Sequence, residues 1–387
     1  MTPAESLSPR VAEPPRSGRF LLCSCQAGAE GALRQRAAEV FPDSRPGAWR
    51  RGAVSFRIPG EPVPEDGGVD IGFALVFARA TMHSLGQVAG DDDGGRITEA
   101  CRLAGGRRYD NVHVWQRDPR AELPGSAIRS ALVAAQGLAP TLGEVAEPGT
   151  VVLDCLIDSA ERWWIGWHRA EDLPSRWPGG VCPGLAQPLP DGTVSRAWLK
   201  LDEAIAVFGI PFRPGQRAME LGASPGGACQ RLLEAGLEVV GVDPAVVDPR
   251  VATAPRFEQW RMRARDVPLR RCAGIDWLVA DMNIDPKSTM AALGRIALAP
   301  AVRLQGIVAT LKLPDWSRAA ELPGWLDMFR SFGLEPRARQ LSSGGREICV
   351  VATRPAVELQ PGSAARSRRV SAARPVTPRR ARRRPGR

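Results

Sequence analysis

The sequence predicts an α/β protein: a mostly parallel sheet with an antiparallel last strand fills the C-terminal half, and an α+β region precedes it. Three observations carry this expectation. From residue 217 to residue 354, short apolar runs alternate with segments of helical periodicity. One of those runs ends in Met219-Glu220-Leu221-Gly222-Ala223-Ser224-Pro225-Gly226-Gly227 and passes into an amphipathic segment. Such a strand, glycine turn and helix start is how α/β folds hold a nucleotide-like ligand. Gly344-Gly345 before the last apolar run signals a hairpin, so that strand should run antiparallel.

Composition bounds the rest. The chain has 387 residues, 44% of them hydrophobic, enough for two or three domains with a real core. No stretch approaches the ~20 consecutive apolar residues of a membrane span. Residues 1–19 are rich in Pro, Ser, Glu and Arg without an apolar core, so a cytoplasmic location is expected. The eight cysteines are scattered and the three histidines, His83, His113 and His168, lie near no cysteine pair, so free thiols and no metal site are expected. The net charge is +10, and ten arginines follow Glu358 with no acidic residue among them. The basic character therefore belongs mainly to the tail.

In chain order, residues 1–18 read as disordered. A strand at 20–23, a helix over 28–40 with Leu33, Ala37 and Val40 at helical spacing, an alternating strand at 52–58 and an apolar segment at 72–81 make one α+β module. Asp91 to Gly95 is a polar break. A second unit follows, with a strand at 112–115, a helix at 127–136 and paired strands at 150–158 and 163–168. Its tryptophans are expected to pack rather than stack on bases. A Pro/Gly-rich linker comes next. Ser195 starts a helix with Trp198, Leu201, Ile205 and Phe208 on one face, and Gly209 stops it. Strands are expected at 218–221, 237–242, 277–280, 306–311 and 348–352, and helices at 228–235, 288–298 and 319–332. Beyond residue 354 the chain should be disordered, and its arginines should add nonspecific phosphate affinity that weakens with salt.

Two ligands compete for the turn. A dinucleotide asks for G-x-G-x-x-G. Here Gly222, Gly226 and Gly227 give G-x-x-x-G-G with Pro225 inside. That spacing fits S-adenosylmethionine better, with a dinucleotide or an empty site as alternatives. Asp243, at the end of the second strand, would bind ribose hydroxyls in either case.

Glu220 through Gly227 resembles the first motif of FtsJ-type ribose 2′-O-methyltransferases. Four further segments agree in order. Ser195 through Glu203 resembles the family's lysine helix, Ala280-Asp281-Met282 the acidic end of its fourth strand, Leu311-Lys312-Leu313-Pro314 the lysine end of its fifth, and Arg346-Glu347-Ile348-Cys349-Val350 its glutamate strand. The resemblance thus implies a Rossmann-like S-adenosylmethionine-dependent fold and a Lys-Asp-Lys-Glu set, Lys200, Asp281, Lys312 and Glu347. In the N-terminal half, Gly28-Ala29-Glu30, Phe77-Ala78-Arg79 and the strand pair near 150–168 resemble the RlmM type, which methylates a cytidine ribose of 23S ribosomal RNA. The implied limits are a ferredoxin-like domain at 19–85, a THUMP-like RNA-binding domain at 86–172, a linker at 173–194, an FtsJ-like domain at 195–354 and the tail at 355–387. Departures from the family pattern are Ala197 for a serine, Ser224 for a cysteine and Glu220 for an aspartate.

The chemistry follows from the residue types. A ribose hydroxyl attacks a sulfonium methyl once its proton leaves, which needs positioning and a base. Lys312 is the candidate base. Burial, Lys200 and the sulfonium would lower its proton affinity, while Asp281 and Glu347 push the other way and orient the lysines. Gly222, Ser224, Pro225, Gly226 and Gly227 should hold the cofactor's methionine part, with Asp281 beside it. Asp266 matches the family's adenine contact, a surface ion pair with the nearby arginines being the alternative. No metal is needed, although Asp281 and Asp285 are close in sequence. The expected protein is a monomeric, S-adenosylmethionine-dependent 2′-O-methyltransferase acting on ribosomal RNA. A noncatalytic RNA-binding assembly factor and an enzyme for another RNA are the rival readings.

Overall fold

The computed structural model describes residues 20–58, 71–118, 123–182 and 189–355. The disorder expected at 1–18 and in the arginine-rich tail falls outside these residues. Two seven-stranded sheets organise the described chain.

The first sheet comprises β1 (Phe20–Cys25), β2 (Arg45–Arg50), β3 (Ala53–Arg57), β4 (Ala78–Ala89), β5 (Asn111–Gln116), β6 (Val151–Ser159) and β7 (Arg162–Arg169). Their order is β2-β3-β1-β4-β7-β6-β5. Its helices are α1 (Glu30–Val40), α2 (Ile71–Ala74), α3 (Asp93–Ala104) and α4 (Gly125–Ala135). The two α+β units read from the sequence thus share one sheet. The 12-residue β4 joins them, pairing with β1 on one side and β7 on the other. The polar break at 91–95 is a helix start: Asp92 caps α3 by accepting from the Gly95 amide at 2.7 Å. The tryptophans of β7 pack: Trp163 and Trp164 are buried, and Trp167 stacks on His83.

The described first part of the linker, 173–182, packs against the first sheet. Trp177 is buried, and the Ser175 carbonyl accepts from His168 Nε2 at 2.7 Å. His168 Nδ1 lies 2.6 Å from an oxygen of the buried Asp154. One imidazole therefore ties β7, β6 and the linker together.

The second sheet comprises β8 (Arg217–Leu221), β9 (Glu238–Val242), β10 (Phe257–Trp260), β11 (Trp277–Ala280), β12 (Gly306–Lys312), β13 (Glu335–Arg339) and β14 (Glu347–Thr353). The order is β10-β9-β8-β11-β12-β14-β13. The strands from β10 across to β12 are parallel, and β14 runs antiparallel to both β12 and β13, as the glycine pair implied. Helices α5 (Arg196–Phe208), α6 (Gly227–Glu234), α7 (Pro249–Ala252), α8 (Pro286–Ala297) and α9 (Leu322–Ser331) belong to this half. The chain leaves β8 for β9 on one side and later returns to β11 on the other. That reversal opens a crevice at the carboxyl ends of β8 and β11, where α/β sheets bind ligands.

The halves share a core. One cluster of buried side chains runs from Leu21, Leu33 and Phe77 into Met219, Leu278, Ile307 and Ile348. Phe77 meets Trp316 edge-on at 6.2 Å. Trp316 follows shortly after Lys312, so the first sheet abuts a segment leading away from the catalytic candidates.

Candidate active site

The lysine helix is fixed at both ends. The Ser195 side chain accepts from the Ala197 amide to cap α5, and Gly209 closes it in the left-handed region, at φ 61°. Between these caps, Leu201, Ala204, Val207 and Phe208 bury one face. Lys200 is carried to the crevice beside β11.

The glycine turn sits at the end of β8. Gly222 has φ +88°, and a Cβ there would lie 2.9 Å from the Asp281 carbonyl oxygen. Backbone at that point must therefore be bare. Gly226 is also left-handed, at φ +119°, and a Cβ on Gly227 would lie 2.9 Å from the backbone of both Ser195 and Trp198. Gly227 thus serves a purpose the sequence reading did not assign: it lets the start of the lysine helix rest on the turn. The Ser224–Pro225 peptide is cis.

The register brings the charged set together. Lys312, the last residue of β12, pairs directly with Glu347, the first of β14. Asp281 follows β11 immediately. Lys200 Nζ lies 3.2 Å from Asp281 Oδ2 and 2.8 Å from Glu347 Oε1. Lys312 Nζ lies 2.7 Å from Asp281 Oδ1 and 2.5 Å from Glu347 Oε2. The four residues close a ring in which each lysine touches both acids and each acid both lysines. Side-chain exposures of 20% and 21% for the lysines, and of 14% and 10% for the acids, set this ring apart from a solvated surface pair.

The charges are strongly coupled. Burial alone pulls the Lys312 ammonium down, but Asp281 and Glu347 outweigh it and hold it above the ordinary lysine value. Burial pushes Asp281 up, and Lys200 and Lys312 outweigh that, holding it below the usual carboxylate range. The balance expected from the sequence is therefore decided in favour of the carboxylates.

Beneath the turn lies a carboxylic acid of the opposite kind. Glu220 is buried, and burial pushes it up to about 8, with Cys229 as a hydrogen-bonding neighbour. Because the folded value exceeds the ordinary 4.5, the protonated form favours folding, and stability is lost as pH rises through that window. Glu220→Gln, which mimics the neutral acid, should gain in melting temperature over the parent between pH 5 and pH 8. Melts at the two pH values check this, and a constant or shrinking difference would count against it.

The remaining candidates divide. Asp243, at the end of β9, accepts from the Ser224 amide at 3.2 Å and the Ala245 amide at 2.8 Å. It anchors the turn while each oxygen keeps a lone pair for a hydroxyl. Asp266 is exposed in a 3₁₀ turn after β10, and its carboxylate is 3.9 Å from Arg265, a separation worth little energy. Asp285 is no partner of Asp281: it caps α8 and pairs with Arg318 at 2.9 Å. The bare turn, Asp243 with spare acceptors and the unpartnered, buried Glu220 Oε2 together suit a nucleoside with hydroxyl and amino-acid groups.

Residues 193–308 match the FtsJ-like methyltransferase family. That match takes in Lys200, the turn and Asp281 and ends before Lys312 and Glu347, which the sheet register adds. Fold and site together define an S-adenosylmethionine-dependent methyltransferase of the FtsJ-like class. "Ribosomal RNA large subunit methyltransferase M" of Xanthomonas euvesicatoria pv. vesicatoria (strain 85-10) is 31% identical over 303 residues, covering 72% of this chain and 82% of that protein. Its namesake from Xanthomonas oryzae pv. oryzae (strain PXO99A) is 30% identical over the same shares. The chain belongs to this ribosomal RNA large subunit methyltransferase M family. Among solved structures, TrmN from Thermus thermophilus matches 86% of this chain and 99% of its own at 16% identity, with a TM-score of 0.33, too loose a likeness to bear on function.

Proposed function

We propose that the protein transfers a methyl group from S-adenosylmethionine to a ribose 2′-hydroxyl of ribosomal RNA, the target being a cytidine of the 23S molecule. When bound, the cofactor supplies a methyl on a positively charged sulfur. The glycine turn and Asp243 would hold the cofactor, and Lys312 would take the proton of the ribose hydroxyl that receives the methyl. Asp281 and Glu347 fix both ammonium groups by paired contacts, and Lys200 places a second positive charge beside the base. A further positive charge near this ring favours the neutral lysine that the reaction needs. The observation that carries the reading is the closed Lys-Asp-Lys-Glu ring beside the bare glycine turn. A noncatalytic assembly factor would have no need of such a ring. The test is transfer of labelled methyl to ribosomal RNA from cells lacking the gene; RNA that stays unlabelled under saturating cofactor overturns the reading.

The first sheet is proposed to bind that RNA, as the ferredoxin-like and THUMP-like limits at 19–85 and 86–172 imply. Support comes from the edge strand β2, whose Arg45, Trp49 and Arg50 are exposed, with Arg51 exposed beside them. Guanidinium groups flanking an aromatic face suit phosphates and an unstacked base. Trp49→Ala combined with Arg50→Ala and Arg51→Ala should raise the RNA KM ~10-fold or more and flatten its salt dependence, leaving cofactor affinity unchanged. An unaltered KM for RNA would remove β2 from the interface. No helix among the described residues is long and apolar enough to cross a membrane. Action as a cytoplasmic monomer, with the arginine-rich tail adding phosphate affinity, completes the proposal.

A further inference from the structure

Glu203 lies one turn beyond Lys200 on α5 and is buried. Its carboxylate accepts three hydrogen bonds from one short loop. Oε1 takes the Ser342 amide at 2.8 Å, and Oε2 takes the Ser343 amide at 2.8 Å and the Ser343 hydroxyl at 2.5 Å. None of these three donors is a cation, although the Glu203 charge also supports the half-buried guanidinium of Arg79. Burying a carboxylate is costly unless such donors meet it. An apolar side chain here would leave both amides and the hydroxyl without their acceptor, so the carboxylate is what joins this loop to the helix.

The loop it holds, 340–346, leads straight into Glu347. The Glu347 amide donates to Gly345 at 2.9 Å, and a Cβ on Gly344 would fall 2.9 Å from Glu347 Oε1. The same loop reaches the other lysine strand, the Leu313 amide donating to the Arg346 carbonyl at 2.8 Å. Across from Glu203, the first half of the chain grips it too. The Gln340 amide donates to Val76 at 2.8 Å, and Gln340 Nε2 to Gln26 Oε1 at 2.8 Å. The loop is therefore clamped between the lysine helix and the first sheet.

We propose that Glu203 is a positioning residue for methyl transfer, locking the 340–346 loop to the lysine helix so that Glu347 meets Lys200 and Lys312 at once. The role rests on the function proposed above. Lys200 and Glu203 share one rigid helix, so a single carboxylate sets the spacing between Lys200 and the strand that begins with Glu347. Glu203→Gln keeps the shape but turns one acceptor into a donor facing an N–H or an O–H.

The test is a double-mutant cycle on the full chain with ribosomal RNA from cells lacking the gene. Glu203→Gln should lower kcat ~10-fold or more, with cofactor affinity and RNA KM within about twofold of the parent. In a Glu347→Ala background the same substitution should cost less than about twofold, because its effect passes through Glu347. Ser343→Ala, which removes only the hydroxyl donor, should give a smaller loss with the same dependence on Glu347, and it serves should Glu203→Gln fail to fold. Hydrogen exchange at the Ser342 and Ser343 amides should quicken in Glu203→Gln. An equal kcat loss with and without Glu347, or unchanged kcat in both variants, overturns the positioning role while the parent's activity upholds the reading it rests on. No transfer by the parent overturns that reading and the role with it, and the exchange rates then report the clamp alone.

Discussion

Lys312→Ala is expected to cut the methyl-transfer rate by roughly 10²–10⁴, the usual worth of a positioned general base. Cofactor affinity should hardly change, since the glycine turn and Asp243 lie on other elements. Lys312→Arg sharpens the test. A guanidinium keeps the positive charge but does not give up its proton in proteins, so it should be nearly as inactive as alanine. If arginine retained a third or more of the parent rate, the lysine would act as a charge and not as a base. The pH dependence follows with a definite sign. Asp281 and Glu347 hold the ammonium above its ordinary value, so the neutral form is scarce at neutral pH and grows as pH rises. Where chemistry limits turnover, kcat should climb by about tenfold per unit from about pH 7 toward pH 9. A flat profile there would contradict a lysine base.

Gly222→Ala should disable the site by a different route. The residue sits at φ +88°, which non-glycine residues adopt at a cost of about 1–3 kcal/mol. The added Cβ would also press on the Asp281 carbonyl oxygen at 2.9 Å and on Met282 Cγ at 2.9 Å. Asp281 is one of the two acids that both lysines share, so moving its backbone loosens the whole ring. The expected result is a cofactor affinity at least ~10-fold weaker, together with a melting temperature several degrees lower. Calorimetric titration and thermal melts measure the two effects. Parent-like cofactor binding would mean that the turn is not where the nucleoside rests.

Much of this site could be read from the chain because its residues stand at the ends of apolar runs. Strands buried on both faces, such as β11 and β12, give continuous hydrophobic signals, and Asp281 and Lys312 sit where those signals stop. What escaped has a physical reason in each case. β2 reads Arg-Pro-Gly-Ala-Trp-Arg and is exposed along its whole length, so no burial pattern marks it. β10 and β13 are short edge strands of mixed polarity that pairing alone makes into strands. α3 begins in a run of aspartates and glycines that looks like a break until Asp92 is seen to cap it. The fusion of two units into one sheet depends on both neighbours of β4, a tertiary fact. Glu203 follows Asp202 in the lysine helix, and the sequence does not say which of the two acids turns inward or which loop it meets. The direction in which Lys312 shifts could not be read at all, since it depends on contacts of 2.5 to 2.7 Å.

The central claim is that this ring methylates a ribose of ribosomal RNA, and nucleotide-resolution mapping of 2′-O-methylation tests it most directly. Ribosomal RNA would be compared from cells with the gene, without it, and complemented with the parent or with Lys312→Ala. The account predicts one ribose in the large-subunit RNA that loses its methyl on deletion, regains it with the parent and stays bare with Lys312→Ala. Identical maps in all four, or full restoration by Lys312→Ala, would contradict it.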